Sequence, residues 1–402
     1  MIRANKALSL ILRHVQPLRA ETVPLSQACG RISAATLLAR RQLPPFPNSA
    51  MDGYAVRSSD CAAPGRELGR LVLQRTSRAG QAMGARILPG RAIKIMTGAP
   101  LPKGADAVVM KEYCVEKDGR VRVLRPPQRG QHIRKAGEDV GRGDLLLEPG
   151  VLLRPYEIAL LAAQGIGRVP VIARPRVGLL ATGDELVDSS RPLLPGKIHD
   201  SNGPALAAAV SRWGAWVVSR GIARDDRGPL KRALRRSLSG CDLLLASGGV
   251  SIGDFDYTKR VLEELGVRII FWKVAIKPGK PLLFGLFGRK PVFGLPGNPV
   301  SALVCAEEFV RPAIEKLQGR APAHPSYHLQ GTLENVYPAE GSRQQYLFCV
   351  ASGGPEGFRL KAIRPQGSAM MGMSCRANAL ALAPIGVTPL RPGMRLSFRW
   401  LK

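Results

Sequence analysis

The stretch K-V-A-I-K-P-G-K-P (residues 273–281) and, a few residues on, V-F-G-L-P-G-N-P-V-S-A (292–302) decide how this chain is read. Val292, Phe293 and Gly294 read as the end of a short buried strand, and Pro296, Gly297 and Asn298 break it. Pro299 then opens an apolar run, Val300, Leu303, Val304, Phe309 and Val310, at helical spacing. Proline in the first helical position after an Asn is a start signal for a helix. A helix start behind a strand exit offers unpaired N–H groups and a partial positive charge. Just upstream, Lys273, Lys277 and Lys280 crowd the turn Pro278-Gly279. Either half alone is equally an ordinary loop with solvated lysines; together they predict a phosphate or oxyanion site.

Outward from this stretch, the chain from Val169 alternates strands and helices. Val177–Ala181 is a buried strand ending in Thr182-Gly183-Asp184-Glu185, and Leu243, Leu244 and Leu245 form another, ending in Ser247-Gly248-Gly249-Val250-Ser251. Residues 204–213, 229–239 and 258–265 are expected helices; Leu230, Leu234 and Leu238 line one face of the second. Such alternation implies a mostly parallel sheet, whose ligands sit beyond the carboxyl ends of the strands. All three glycine-containing loops leave such ends.

The flanks differ in texture. Residues 5–15 predict an amphipathic helix, and 18–39 an extended segment followed by a second short helix. The proline-rich run 44–48 delivers Ser49–Val56, a loop entering a strand, and β texture continues to about residue 135. Lys117-Asp118-Gly119-Arg120 predicts a hairpin turn between the alternating arms Tyr113, Val115 and Val121, Val123. Residues 145–153 predict a second hairpin about Pro149-Gly150, and 155–164 a helix. Residues 320–325 read as a linker, and the remainder as all-β, with Met394, Leu396, Phe398 and Trp400 alternating along a last strand.

The length of 402 residues predicts two or three domains. Lys plus Arg number 59 against 30 Asp plus Glu, a net charge of +29, which attracts anions of every kind. The positive residues are scattered through every element and aromatics are only 5%, so neither a basic tail nor a base-stacking platform is present, and any DNA binding is expected to be weak and salt-sensitive. Seven cysteines, widely spaced and without C-x-x-C, argue against a disulfide frame or a zinc ribbon and for a reducing compartment. Pro325 between His324 and His328 argues against a helical metal pair. No apolar run is long enough for a signal peptide core or a membrane span, so a cytoplasmic protein is expected.

Carboxylates fall where loops should meet the site: Asp184-Glu185, Asp225-Asp226, Asp254 with Asp256, and Asp52 from the earlier region. Beside an anion site they make sense if Mg²⁺ bridges them to the ligand. Each is otherwise a turn or cap residue, and Asp225-Asp226 can simply cap the helix that follows.

Taken together, these stretches resemble the molybdopterin molybdenumtransferase family, the bacterial MoeA proteins and the C-terminal domain of gephyrin. Besides the two opening stretches and S-G-G-V-S-I-G-D-F-D-Y-T-K (247–259), the matches are P-P-F-P-N-S-A-M-D-G-Y-A-V (44–56), M-T-G-A-P-L-P-K-G-A-D-A-V-V (96–109), G-E-D-V (137–140), A-T-G-D-E-L (181–186) and D-S-N (200–202). They span nearly the whole chain. The resemblance implies a multidomain α/β plus β protein: a helix and hairpin linking domain (1–20 and 140–168), a β-rich domain (21–139), a mostly parallel αβ molybdopterin-binding-like domain (169–320), and a small C-terminal β-barrel-like domain (321–402). It implies a transferase that inserts molybdate into adenylylated molybdopterin with release of AMP. Asp52 and Thr97 from the β-rich domain of a partner subunit, Glu185, Asp225, Asp256, Lys273 and Lys277 would be catalytic. Ser247, Gly248, Gly249, Ser251, Lys280, Pro296, Gly297, Asn298 and Pro299 would bind substrate, and Glu185, Asp226 and Asp256 would hold Mg²⁺. Implied partners are a second copy in a homodimer, small anionic substrates, the molybdopterin adenylyltransferase and molybdoenzyme-maturation proteins, with no membrane and no specific nucleic acid. The run Gly341-Ser342-Arg343-Gln344-Gln345-Tyr346 departs from the family's Gly-Arg-x-Glu-Phe pattern, Gln345 standing for the acid, so the resemblance assigns nothing to Arg343 or Ser368. Two other classes share features with the chain: an adenylyltransferase-like enzyme, built on a similar αβ unit, and a basic scaffold or nucleic-acid-binding protein.

Overall fold

The computed structural model describes residues 1–61, 70–77, 80, 85–249, 257–321 and 327–401. The chain forms two compact units, one of residues 24–29 and 35–169, the other of residues 1–23, 30–34 and 170–402.

The first unit is built on a six-stranded sheet of β1 (Gly53–Val56), β2 (Arg70–Ser77), β3 (Arg91–Ile95), β4 (Ala107–Met110), β5 (Cys114–Lys117) and β6 (Arg120–Val123), in the order β4-β1-β3-β2-β6-β5. The expected hairpin joins β5 to β6, and Asp118 and Gly119 both adopt positive φ (50° and 70°), as a tight two-residue hairpin turn demands. Alternation divides the core: Tyr54, Val56, Val109 and Val121 lie on one face, Ala55, Ile93, Ile95 and Val108 on the other. Two expectations fail in this part of the chain. Between residues 18 and 39 there is no α-helix, only the single turn Leu25–Gln27, because Pro24 and Gly30 leave too short a run. Nor do the residues after Pro149-Gly150 form a hairpin arm. Leu145–Leu147 pairs instead with Leu37–Leu38, since the chain passes almost at once into the helix Pro155–Ala163. That helix starts where expected; Glu157 accepts the Arg154 N–H at 2.8 Å, and its carboxyl is held down to about 2, first by the Arg154 side chain.

The second unit holds a six-stranded sheet of β7 (Arg176–Thr182), β8 (Trp216–Ala223), β9 (Leu243–Ser247), β10 (Arg268–Trp272), β11 (Leu283–Phe287) and β12 (Lys290–Leu295), in the order β8-β7-β9-β12-β11-β10. Strands β8, β7, β9 and β12 run parallel, and β11 runs against its neighbours. The central strands are apolar at successive positions because both faces are covered. Val177, Leu179, Leu243, Leu245 and Phe293 pack on one side with Leu206 and Val210 of the helix Asn202–Arg212. Leu180, Leu244, Ala246 and Val292 pack on the other with Leu230, Leu234 and Leu238, the predicted stripe of the helix Arg227–Gly240.

The C-terminal residues of this unit close into a five-stranded barrel of β13 (Leu329–Leu333), β14 (Gln344–Gly354), β15 (Gly357–Ala362), β16 (Ala379–Ala383) and β17 (Arg395–Trp400), in the circular order β14-β15-β13-β17-β16. Leu396 and Phe398 fill it, and Phe398 meets Phe358 and Trp400 edge-on at 5.3 and 5.5 Å. Of the expected linker 320–325, residues 322–325 lie outside the described residues.

A buried ionic cluster ties the barrel to the αβ layer. The helix opened by Pro299 widens into a π-helical turn at Ala306–Val310 before continuing as Arg311–Leu317, and that turn carries Glu308. Glu308 accepts from Arg399 of β17 at 2.9 Å and from Tyr327 at 2.8 Å, and Arg399 also lies 3.1 Å from Glu307. Removing one partner of a buried pair strands the other charge, whereas removing both does not. Arg399→Leu is therefore expected to lose about 3–5 kcal/mol in denaturant unfolding, and Glu308→Leu combined with Arg399→Leu much less than that.

Candidate active site

The parallel pairing of β7, β9 and β12 aligns Ala181 with Ser247 and Ser247 with Leu295, so three loops leave the sheet side by side at one edge. These are the loops expected from the sequence, and they form the floor of a cavity of about 1060 Å³. Thr182, Glu185, Ser247, Gly248, Gly249, Pro296, Gly297, Asn298 and Pro299 all line it. Gly248 has φ +92°, and a Cβ there would lie 2.3 Å from the Thr182 carbonyl oxygen, so only glycine lets the two loops touch. Val250, Ser251, Asp254 and Asp256 lie outside the described residues.

The far wall comes from the segment Lys277–Pro281 and from the barrel, through Tyr337, Arg343, Gln345, Tyr346 and Ser368. Ile276–Lys277 adds to the barrel sheet beside Gln344 and Gln345 of β14, which places Lys277 at the rim. Gly279 (φ +111°) sits so close to the helix below that a Cβ would lie 2.6 Å from Cys305 Sγ. Among the described residues, the cavity thus has three cationic side chains in its wall, Lys277, Lys280 and Arg343. Lys273 is not one of them; its ammonium lies 3.7 Å from the centre of the Trp272 ring.

The helix start at Pro299 departs from expectation. Its N–H groups are not free: Val300 N–H donates to the Ser368 carbonyl at 3.0 Å and Ser301 N–H to the same oxygen at 3.4 Å, while Asn298 Nδ2 donates to Ser368 Oγ at 2.9 Å. A loop of the barrel has taken the donors that a ligand was expected to use. The positive charge of the wall comes from its side-chain cations. Arg343 and Ser368 line the cavity, positions the sequence left unassigned; the Gly341-x-Arg343 turn before a strand was the available signal for one, and no local signal marked the other.

The carboxylates separate into two kinds. Asp226 accepts from Gly228 N–H at 3.3 Å and caps the helix Arg227–Gly240, the ordinary role weighed for it, and it does not line the cavity. Asp225 and Glu185 do line it, and Asp225 Oδ1 is buried without a hydrogen-bond partner among the described residues. Burial first, and then the neighbouring Glu185 and Asp184, push the Asp225 carboxyl above the ordinary carboxylate range. Asn202 donates from Nδ2 to the Gly297 carbonyl at 2.8 Å and keeps a buried Oδ1 at the cavity wall with no partner among the described residues, an acceptor suited to a ligand N–H. Asp52 and Thr97 belong to the first unit and are brought together there: Asp52 Oδ1 accepts the Thr97 backbone N–H at 2.7 Å and its hydroxyl at 2.8 Å, bonds that hold its carboxyl below the usual range.

Glycine loops at the carboxyl edge of a parallel sheet, faced by a wall that carries Lys277, Lys280 and Arg343, define an α/β protein with a cavity of cationic character. Residues 2–165 match the model of the MoeA N-terminal region (domain I and II), and residues 178–316 that of a probable molybdopterin binding domain. The molybdopterin molybdenumtransferase of Haemophilus influenzae is 40% identical over 80% of this chain and 78% of its own. That of Staphylococcus epidermidis is 30% identical over 98% of this chain and 94% of its own. The molybdopterin biosynthesis MoeA protein of Pyrococcus horikoshii has a solved structure that superposes with a TM-score of 0.81 at 30% identity, covering both chains completely. The chain belongs to the molybdopterin molybdenumtransferase family.

A carboxyl whose pKa is raised by folding is ionised at a cost above its folded pKa and relieved of it below. Stability attributable to Asp225 therefore falls as pH rises through that value. Asp225→Asn should raise the melting temperature at pH 7 in the presence of a chelator, because the partly buried carboxylate no longer has to be ionised. The gain should vanish in melting curves taken at acid pH, where the wild-type carboxyl is also neutral.

Proposed function

We propose that the protein inserts molybdate into adenylylated molybdopterin and releases AMP. The observation that carries this reading is one cavity with two chemically different walls: loops of a molybdopterin-binding-type sheet on one side and Lys277, Lys280 and Arg343 on the other. The reaction brings an oxyanion to a dithiolate that carries a phosphate, so two anions must be held close together. Fixed cations offset their repulsion most effectively in a site that excludes bulk water. In this reading Thr182, Ser247, Gly248, Gly249, Pro296 and Gly297 hold the pterin-linked ligand, Asn202 Oδ1 accepts one of its donors, and Lys277, Lys280 and Arg343 hold molybdate.

Mg²⁺ fits this chain as an ion shared with substrate. Among the described residues no three His, Cys, Asp or Glu side chains converge to cage a metal. Asp225, with its unpartnered oxygen, and Glu185 offer hard oxygen ligands on one wall, and Mg²⁺ commonly takes one or two carboxylates and completes its shell with water and phosphate oxygens. Bound there, it would neutralise charge on the adenylate phosphate. The seven cysteines are all unpaired, and among the described residues no helix is long and apolar enough to cross a membrane, which supports a cytoplasmic site of action. We place the protein after the molybdopterin adenylyltransferase and before molybdoenzyme maturation, and we propose a homodimer in which Asp52 and Thr97 serve the site of the second copy.

Purified protein given adenylylated molybdopterin should release AMP in proportion to added molybdate. Lys277→Ala should lower the rate by roughly 10²–10³, the scale of losing one preorganised electrostatic contact. AMP release without molybdate dependence, or turnover of ATP to pyrophosphate instead, would favour the adenylyltransferase-like reading. Mixing Asp52→Ala with Lys277→Ala chains should restore part of the activity through hybrid dimers; a monomer in sedimentation at micromolar concentration would contradict the assembly.

A further inference from the structure

Two of the three wall cations already share a carboxylate. Glu340 Oε2 lies 3.2 Å from Lys277 Nζ and accepts from Arg343 Nη2 at 2.7 Å, while Arg343 Nε donates to Glu340 Oε1 at 3.2 Å and Nη2 contacts that oxygen as well. Glu340 itself does not line the cavity, whereas Lys277 and Arg343 do. The carboxylate is held by a built loop. Its own N–H donates to Gln345 Oε1 at 2.9 Å, Gln345 is buried and donates to Tyr337 Oη at 3.4 Å, and the Gly341 carbonyl accepts from Gly386 N–H at 2.8 Å. The Arg343 hydrogen bonds, against the opposing effect of burial, keep Glu340 ionised. An exposed ion pair between mobile side chains would be worth little and mean little. Here a forked guanidinium and an ammonium grip two oxygens of one anion, which is how they would grip two oxygens of a tetrahedral oxyanion. Lys280 has no carboxylate within ion-pair distance among the described residues, so the arrangement is particular to the other two cations.

We propose that Glu340 is an internal competitor for the oxyanion site: in the free protein it occupies Lys277 and Arg343, and an entering oxyanion displaces it. The inference rests on the assignment of that wall to molybdate. Its consequence is a threshold. Every anion must exceed the grip of Glu340 before the site fills, so weakly held cellular anions are kept out.

Displacement and simple repulsion predict different numbers. A competitor that leaves costs every ligand the same factor, whatever its charge. A carboxylate that stays costs a dianion about twice as much free energy as a monoanion, because Coulomb energy scales with charge. Binding of molybdate and of the monoanion perchlorate to the full-length chain should be measured by titration calorimetry at constant ionic strength, for wild type and for Glu340→Gln. The expected result is that both anions bind more tightly to Glu340→Gln by the same factor, about tenfold, the lower end of what one hydrogen bond to a charged group contributes. Glu340→Asp, which retains the charge, should show a smaller gain. Unchanged or weaker binding of both anions, or a gain for molybdate that is the square of the gain for perchlorate, would overturn the proposal. If Glu340→Gln melts well below wild type, Glu340→Ala carries the same expectation, and no gain in a folded Glu340→Ala overturns it equally. Wild-type binding without a gain in the variants removes only the role of Glu340; folded proteins that all fail to bind molybdate remove the oxyanion site as well.

Discussion

Parallel pairing of three adjacent strands is the constraint on which the rest of the second unit depends. With Ala181, Ser247 and Leu295 held in register, the chain must leave the sheet three times at one edge, within one ligand's breadth. Loops so close cannot all carry side chains, which is why Gly248 stands against the Thr182 carbonyl. Helices on both faces then follow from the apolar runs of the strands, since each buried face needs a partner. The barrel adds what the sheet edge lacks, namely Arg343, an anchor for Lys277, and lining side chains from β14.

Electrostatic economy explains the details of the wall. Free helix N–H groups and free cations at one small site would repel each other in the absence of ligand and leave polar groups unpaired, a cost the fold avoids. The Ser368 carbonyl satisfies Val300 and Ser301, and Glu340 satisfies Lys277 and Arg343. The two devices differ in permanence. A backbone carbonyl fixed between two loops is part of the structure, whereas a carboxylate on a flexible side chain can exchange for another anion. Elsewhere in the lining, Asp225 Oδ1 and Asn202 Oδ1 are left unpaired among the described residues, and those are the oxygens that a ligand or its metal can use.

Much of this was legible in the sequence because local rules and tertiary structure agree there. The leucine stripe 230, 234, 238, the Asp118-Gly119 turn, the strand ends at Thr182, Ser247 and Leu295 and the alternating last strand all carry their meaning within a few residues. The failures share a cause, which is partners remote in sequence. Leu145–Leu147 chose Leu37–Leu38 over the near arm, Ser368 reached back to a helix start some seventy residues earlier, and Lys273 found the Trp272 ring instead of the cavity. Glu340 was invisible for the same reason: one glutamate in a loop signals nothing until Lys277 is seen beside it. Asp226 illustrates the converse, since its capping role is local and was legible beside the more ambitious one.

On the proposed assignment, side-chain cations of the wall that holds Lys277 and Arg343 bind the oxyanion, and the helix start at Pro299 does not. Crystals of the protein soaked in tungstate, a heavy analogue of molybdate, locate the ion directly by anomalous diffraction at the tungsten edge. A single strong peak is expected within hydrogen-bond reach of Lys277 and Arg343, with the Glu340 carboxylate moved off both. A peak against the backbone N–H groups of Val300 and Ser301, with Ser368 displaced and Glu340 still bound to Arg343, would contradict it.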